Sequence, residues 1–261
     1  MKIFHVIKFS PTKRKLVVRQ LPNKLPEINL DGFINFKVLP GKFCIGYWKN
    51  QSYFKCFKKI QKGFQCESCF KKETNNFCAM CNGTKCFLRK PICGQHYVYL
   101  ASFGNILKVG VTSVNRFPER VIEQGADFAA RIVLVENGLI ARKIERMISI
   151  NYNIKDKISA ITKQKVLLNK NAREIGKEFL KTVYWQIIDK LPAKIKLDLE
   201  IEDLSIYYKE PQKAKAISIE DNMELQGKII GQKGNYIFIK NHQGIFMFNG
   251  YELVSRVVKI P

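Results

Sequence analysis

The sequence predicts a mixed α/β (α+β) protein of several modules, and three observations carry that expectation. A lysine-rich stretch holds all eight cysteines, a β-β-α-β-α order of local signals follows it, and the C-terminal end alternates apolar and polar residues between glycines. Helix and strand periodicities in one chain exclude an all-α or all-β fold. The expected division is a strand-rich segment over 1–43, a cysteine-rich domain over 44–95, a central domain over 96–168, a helical linker region over 169–220 and a small antiparallel β-module over 221–261.

The N-terminal segment has short alternating runs, Lys15-Leu16-Val17-Val18 and Phe33-Ile34-Asn35-Phe36, broken by Pro11, Pro22, Pro26 and Pro40. Residues 44–93 show little apolar periodicity, so a core there requires a metal. Cys66-x2-Cys69-x8-Cys78-x2-Cys81 supplies two Cys-x2-Cys turns, and two such turns deliver the four thiolates of a tetrahedral structural Zn²⁺ site. A redox pair would need only one such turn, and no βαβ context surrounds it. Cys44, Cys56, Cys86 and Cys93 remain, a number that equals the ligand count of a second site. Lys58, Lys59, Lys62, Lys71, Lys72 and Lys85 lie among the cysteines, with Tyr47, Trp48, Tyr53 and Phe54 interleaved. Cations and aromatics on a rigid knuckle suit phosphate contact and base stacking.

In the centre, Tyr97–Ala101 and Ile106–Val111 read as a hairpin around Phe103-Gly104-Asn105. Pro118 opens a short helix to Gln124, Arg131–Val135 is a third strand, and Asn137 caps a helix to about Ser149. Farther on, Asn171 with Glu174 reads as a capping box for a helix over 171–190, with Ile175, Phe179, Val183 and Ile187 as its apolar stripe. In the last module, Gln232-Lys233-Gly234-Asn235 reads as a hairpin turn rather than a Gly-x-x-Gly clamp, because strand-like alternation follows it on both sides of Gly244.

Lys and Arg number 45 against 22 Asp and Glu among 261 residues, a net charge of +23. The excess is not matched by glutamate in ion-pair networks, and neutralising phosphates releases counterions, so the expected partner is nucleic acid, DNA or RNA. No apolar run approaches the ~20 residues of a membrane span, and the N-terminus lacks the pattern of a signal peptide, so no membrane partner and a cytoplasmic location are expected.

The order of cysteines, then Tyr97-Val98-Tyr99-Leu100-Ala101, Lys108-Val109-Gly110-Val111-Thr112 and Glu123-Gln124-Gly125-Ala126 resembles an uncharacterised prokaryotic domain family. That family couples a cysteine cluster to this segment and to a C-terminal β segment. More remotely, the segment is similar to the GIY-YIG nuclease superfamily. The resemblance implies a GIY-YIG-like β-β-α-β-α core, with Tyr99 on the first strand, Lys108 in place of the second tyrosine, and Arg120 and Glu145 as the helical arginine and glutamate. Such a site would use Mg²⁺ or Mn²⁺ on Glu145, transition-state charge stabilisation by Arg120 and a water positioned by Tyr99. Lys108 would bind phosphate or act as a base, and Arg116 would contact nucleic acid. The two functional expectations are a divalent-metal-dependent phosphodiesterase and a non-enzymatic RNA- or ribosome-associated factor.

Overall fold

The computed structural model describes residues 2–20, 24–73, 81, 83–84, 86 and 93–261. It divides into two compact units, Met1–Asn76 with Lys209–Pro261, and Phe77–Tyr208. Among the described residues no helix is long and apolar enough to cross a membrane.

The first unit joins the two ends of the chain. Strands β1 (Lys2–Ser10), β2 (Lys15–Arg19), β3 (Glu27–Asn29) and β4 (Phe33–Val38) enter one sheet with β13 (Lys215–Ala216), β14 (Glu224–Lys233), β15 (Tyr236–Asn241), β16 (Gly244–Asn249) and β17 (Val257–Ile260). The order is β13-β16-β15-β14-β4-β17-β1-β2-β3. The N-terminal segment and the C-terminal module therefore share hydrogen bonds, with Lys2 opposite Ile260 and Phe36 opposite Leu225. Period two decides the faces: Ile34, Phe36 and Val38 are buried in β4, while Phe33 is exposed. They pack with Phe4, Val6, Val18, Ile237, Ile239 and Phe248. Truncating Phe36 would cost ~3–5 kcal/mol through lost burial and the cavity left behind. The expected turn at Gln232–Asn235 is present, with Lys233 opposite Tyr236 and Gly234 in the left-handed region.

Two nested hairpins extend this unit. The strands β5 (Lys42–Phe43) and β8 (Lys59–Ile60) pair on the outside. Between them, β6 (Tyr47–Lys49) and β7 (Ser52–Phe54) pair across Asn50 and Gln51, both at positive φ, as a two-residue primed turn requires. A short helix, Glu67–Lys72, follows.

The second unit is a four-stranded antiparallel sheet of order β10-β9-β11-β12, built from β9 (His96–Phe103), β10 (Ile106–Ser113), β11 (Phe128–Val135) and β12 (Ile201–Asp203). Helices Glu119–Gln124 and Gly138–Asn151 fall where the β-β-α-β-α reading places them, and the Asn137 side chain caps the second by accepting from the Ile140 N–H. The central strand β9 is buried on both faces. Val98 and Leu100 join a core with Ile148, Leu180, Val183 and Ile187, while Tyr99, Ala101 and Phe103 pack with Val121 and Ala126 on the other side.

The long helix differs from expectation. It spans Lys170–Ile188 and is capped by Asn169, whose side chain accepts from Ala172 N–H, not by Asn171. Its buried stripe runs through Ala172, Leu180, Val183, Tyr184 and Ile187, whereas Ile175 is 61% and Phe179 44% exposed. The reason is Gly176: a Cβ there would lie 1.9 Å from the carbonyl oxygen of Gly104, so this face of the helix lies directly on the β9–β10 turn. Close backbone approach, rather than the largest side chains, sets the contact face.

Candidate functional site

In the first unit, Cys44, Cys56, Cys66 and Cys69 bring their sulfurs within 4.8 Å of one another. The nested hairpins explain how. Cys44 follows β5 and Cys56 precedes β8, so pairing of Phe43 with Lys59 and the bond from Cys44 N–H to Lys58 C=O place the two cysteines side by side. The Glu67–Lys72 helix, with Cys66 at its N-cap position, carries the other two. Cys44 Sγ accepts from the backbone N–H of Gly46 at 3.4 Å and of Cys66 at 3.2 Å, contacts that favour a thiolate. Around Cys66, burial raises its thiol, but hydrogen bonds from the Cys69 backbone and from the neighbouring thiols outweigh it and bring it down to about 7. Burial and the other three thiols push Cys69 upward.

Four thiolates around Zn²⁺ at ~2.3 Å lie about 3.8 Å apart, so this group needs only a small contraction to hold a metal such as zinc. The expected ligand set is thereby changed. Cys66 and Cys69 are in the group, Cys78 lies outside the described residues, and Cys81 is not a member. Among the described residues the other two members are Cys44 and Cys56, which sheet pairing and not local spacing brings in. The signal in the sequence was the mirrored pairs Tyr47-Trp48 and Tyr53-Phe54 around Asn50-Gln51, lying between the two. Among the described residues neither Cys86 nor Cys93 belongs to a cysteine group; Cys93 Sγ accepts from Gly138 N–H at 3.1 Å.

A buried pair steadies this centre. Arg19 donates to the carbonyl of Cys56 at 3.1 Å and to Nδ1 of His5 at 3.2 Å, while the other ring nitrogen of His5 lies 3.1 Å from the Phe43 carbonyl. Burial, then the Arg19 charge, hold His5 neutral and lower its pKa to about 4.

In the second unit, Gln124 is the hub of a polar cluster. It ends the Glu119–Gln124 helix, which Gly125 closes in the left-handed conformation. Its Nε2 donates to the Tyr99 hydroxyl at 3.0 Å, its Oε1 accepts from Lys108 Nζ at 3.0 Å, and its backbone carbonyl accepts from Lys163 Nζ at 2.9 Å. Helix C-terminal carbonyls attract cations, which accounts for Lys163. Tyr99 is 1% exposed and rests on Gly110, directly opposite it in the hairpin. It is therefore an inward-facing residue rather than one open to water, and burial raises its pKa. Lys108 Nζ lies 5.9 Å from the centre of its ring.

Arg120 and Glu145, chosen from the sequence with Tyr99 and Lys108, act electrostatically on both of them, as does Arg142. Glu145 is 7% exposed and bound at 2.7 Å by Arg142. Burial and then the Arg120 charge depress Lys108 to about 8, partly offset by Glu145 and Asp156. Burial, Lys108 and Arg120 depress Lys163 to about 7. Lys163 was not foreseen; its helix, Ala160–Val166, is too short for its periodicity to show which face turns inward. Arg116 pairs with Glu123 at 2.7 Å on the exposed side, and Arg120 approaches the same carboxylate at 3.8 Å.

Of the lysines chosen near the cysteines, Lys58, Lys59, Lys62, Lys71 and Lys72 are exposed, Lys71 pairs with Glu67, and Lys85 lies outside the described residues. Mg²⁺ or Mn²⁺ takes carboxylates together with substrate oxygens. Here Glu145 offers one carboxylate, with Oε2 already engaged by Arg142, and Asp156 adds a second negative charge that acts on Lys108.

A model of the family described as "Protein of unknown function (DUF2797)" matches residues 33–253. The chain belongs to that family. The DUF2797 match begins at β4 and takes in the four-cysteine group, the Gln124 cluster and strands β14–β16. No curated protein and no solved structure matches the chain.

Proposed function

We propose that this chain is a nucleic-acid-binding protein in which Cys44, Cys56, Cys66 and Cys69 hold a structural zinc ion and the Gln124 cluster receives a backbone phosphate. The observation that carries the reading is the charge imbalance around Gln124. Lys108, Arg120, Arg142 and Lys163 influence one small region, against Glu145, which Arg142 binds, Asp156, which acts on Lys108, and Glu123, which Arg120 shares with Arg116. Among the described residues, the charged groups that act on Lys163 are Lys108 and Arg120. Gathering cations costs free energy through mutual repulsion and lost hydration, and a bound phosphate reverses both. The net charge of +23 supports a polyanionic partner. The test is electrophoretic or anisotropy binding of DNA and RNA at low salt, with Arg120→Ala and Lys163→Met expected to weaken both; retention of full affinity by both variants would refute the site.

A second reading, divalent-metal-dependent phosphodiester cleavage, rests on the association of Tyr99, Lys108, Arg120 and Glu145. When bound, a divalent ion would supply charge stabilisation on phosphate oxygens, and Glu145 is the residue that would hold it. Lys108, readily deprotonated, would take a proton, and Arg120 would meet the phosphate. Cleavage that appears with Mg²⁺ or Mn²⁺ and vanishes in Glu145→Gln, with affinity retained, distinguishes the enzyme from the binder.

A further inference from the structure

The geometry points to a second binding site in the first unit, one that takes an unpaired base and its phosphate from a single-stranded segment of nucleic acid. This inference rests on the reading that the partner is nucleic acid, and adds its strandedness. A cavity of about 720 Å³ opens onto the cysteine group itself, with Cys56, Cys66 and Cys69 in its floor and Tyr47, Phe54 and Lys72 among its other lining residues. Its volume is in the range that holds a small organic ligand such as one nucleotide.

The wall is built for stacking. Tyr47 and Phe54 face each other across the β6–β7 hairpin, with ring centroids 4.9 Å apart and planes at 8°. Lys72 Nζ stands 5.6 Å from the Tyr47 ring centre. Phe54, in the lining, is 43% exposed. The rest of the lining adds Arg19 to Lys55, Lys58 and Lys72, and among the described residues it includes no carboxylate. A four-thiolate zinc centre carries two formal negative charges, which offset two of these four cations and leave two for a ligand. It does not account for the exposed Phe54 ring, whose face turned away from Tyr47 is the one left for a base.

The choice of a single strand follows from chemistry. Bases in a duplex have no free faces, whereas an unpaired base stacks on an aromatic ring whatever its identity. Lys49, Lys59, Lys62 and Lys71 are exposed on the same stretch of chain, outside the lining, and suit a backbone that continues past one nucleotide better than a free mononucleotide.

The experiment uses the full-length zinc-loaded protein, a single-stranded oligonucleotide carrying one 2-aminopurine, and the same sequence as a duplex. Single strand is expected to bind more tightly than duplex, with quenching of the 2-aminopurine. Phe54→Ala, with zinc content unchanged, should lose that quenching and weaken single-strand affinity roughly tenfold, in line with the loss of one base–aromatic stack. Lys72→Ala should weaken affinity with a shallower salt response. Equal binding of both forms with no effect of Phe54→Ala overturns the inference while leaving nucleic-acid binding intact. Saturable binding of a mononucleotide as tight as that of the oligonucleotide also overturns it. Failure of wild-type protein to bind either form at low salt defeats the functional reading itself.

Discussion

A Cβ on Gly110 would lie 2.5 Å from both Cζ and the hydroxyl oxygen of Tyr99, so the tyrosine ring rests on the bare backbone of the neighbouring strand. That contact holds the hydroxyl where Gln124 donates to it, and Gln124 in turn collects Lys108 and Lys163. Gly110→Ala should therefore destabilise the fold by ~1–3 kcal/mol, the usual cost of overpacking. Tyr99→Phe, which keeps the ring and loses one hydrogen bond, should cost only ~1 kcal/mol. Denaturant unfolding of the two variants gives the comparison, and a Gly110→Ala protein as stable as wild type would show that the ring is free to shift.

The metal centre makes a prediction that depends on which cysteines share an ion. Cys44→Ser, Cys56→Ser and Cys66→Ser should each lower zinc by one ion per chain. The double variant Cys44→Ser/Cys66→Ser should lower it by no more than either single change, since both serve one site. Elemental analysis reads this directly, and additive losses would separate Cys44 from Cys66.

Stability should depend on pH through His5. Its folded pKa, about 4, lies below the ordinary 6.5, so between these values the unfolded chain binds the extra proton. Stability contributed by neutral His5 is thus present above pH 6.5 and is lost as pH falls toward 4. The full effect is on the order of 3 kcal/mol. Chemical denaturation at pH 5 and 7 in wild type and His5→Gln should show a smaller pH slope in the variant.

Lys108 and Lys163, depressed to about 8 and about 7, lose protons in the free protein near and above neutrality. A phosphate beside them favours the charged forms, so binding at pH 8 should take up protons and affinity should decline as pH rises from 7 to 9. Calorimetry in two buffers of different ionisation enthalpy measures the uptake, and Lys163→Met should reduce it. Proton release on binding would have the wrong sign for this site.

Much of the second unit was legible because its signals are local: the hairpin, the Asn137 cap and the short helix before Gly125 each declare themselves within a few residues. Arg120 and Glu145 act electrostatically on Tyr99 and Lys108 because the elements that carry them lie in the expected order. What was hidden depends on pairing over long sequence distances. The joining of Lys2 to Ile260 in one sheet, and of Cys44 to Cys66, leaves no mark in local spacing. Cys78 and Cys81 had the regular spacing, yet the group formed by Cys66 and Cys69 is completed by residues that two nested hairpins deliver. Gly176 misled in the other direction, since a contact made through the absence of a side chain is invisible to hydrophobic periodicity.

The most direct measurement is the slope of log affinity against log salt for a nucleic-acid oligomer, in wild type and in Arg120→Ala and Lys163→Met. The account predicts a steep negative slope in wild type and a loss of about one unit of slope with each removed cation that meets a phosphate. A flat wild-type response, or slopes unchanged in both variants, would contradict phosphate binding at the Gln124 cluster.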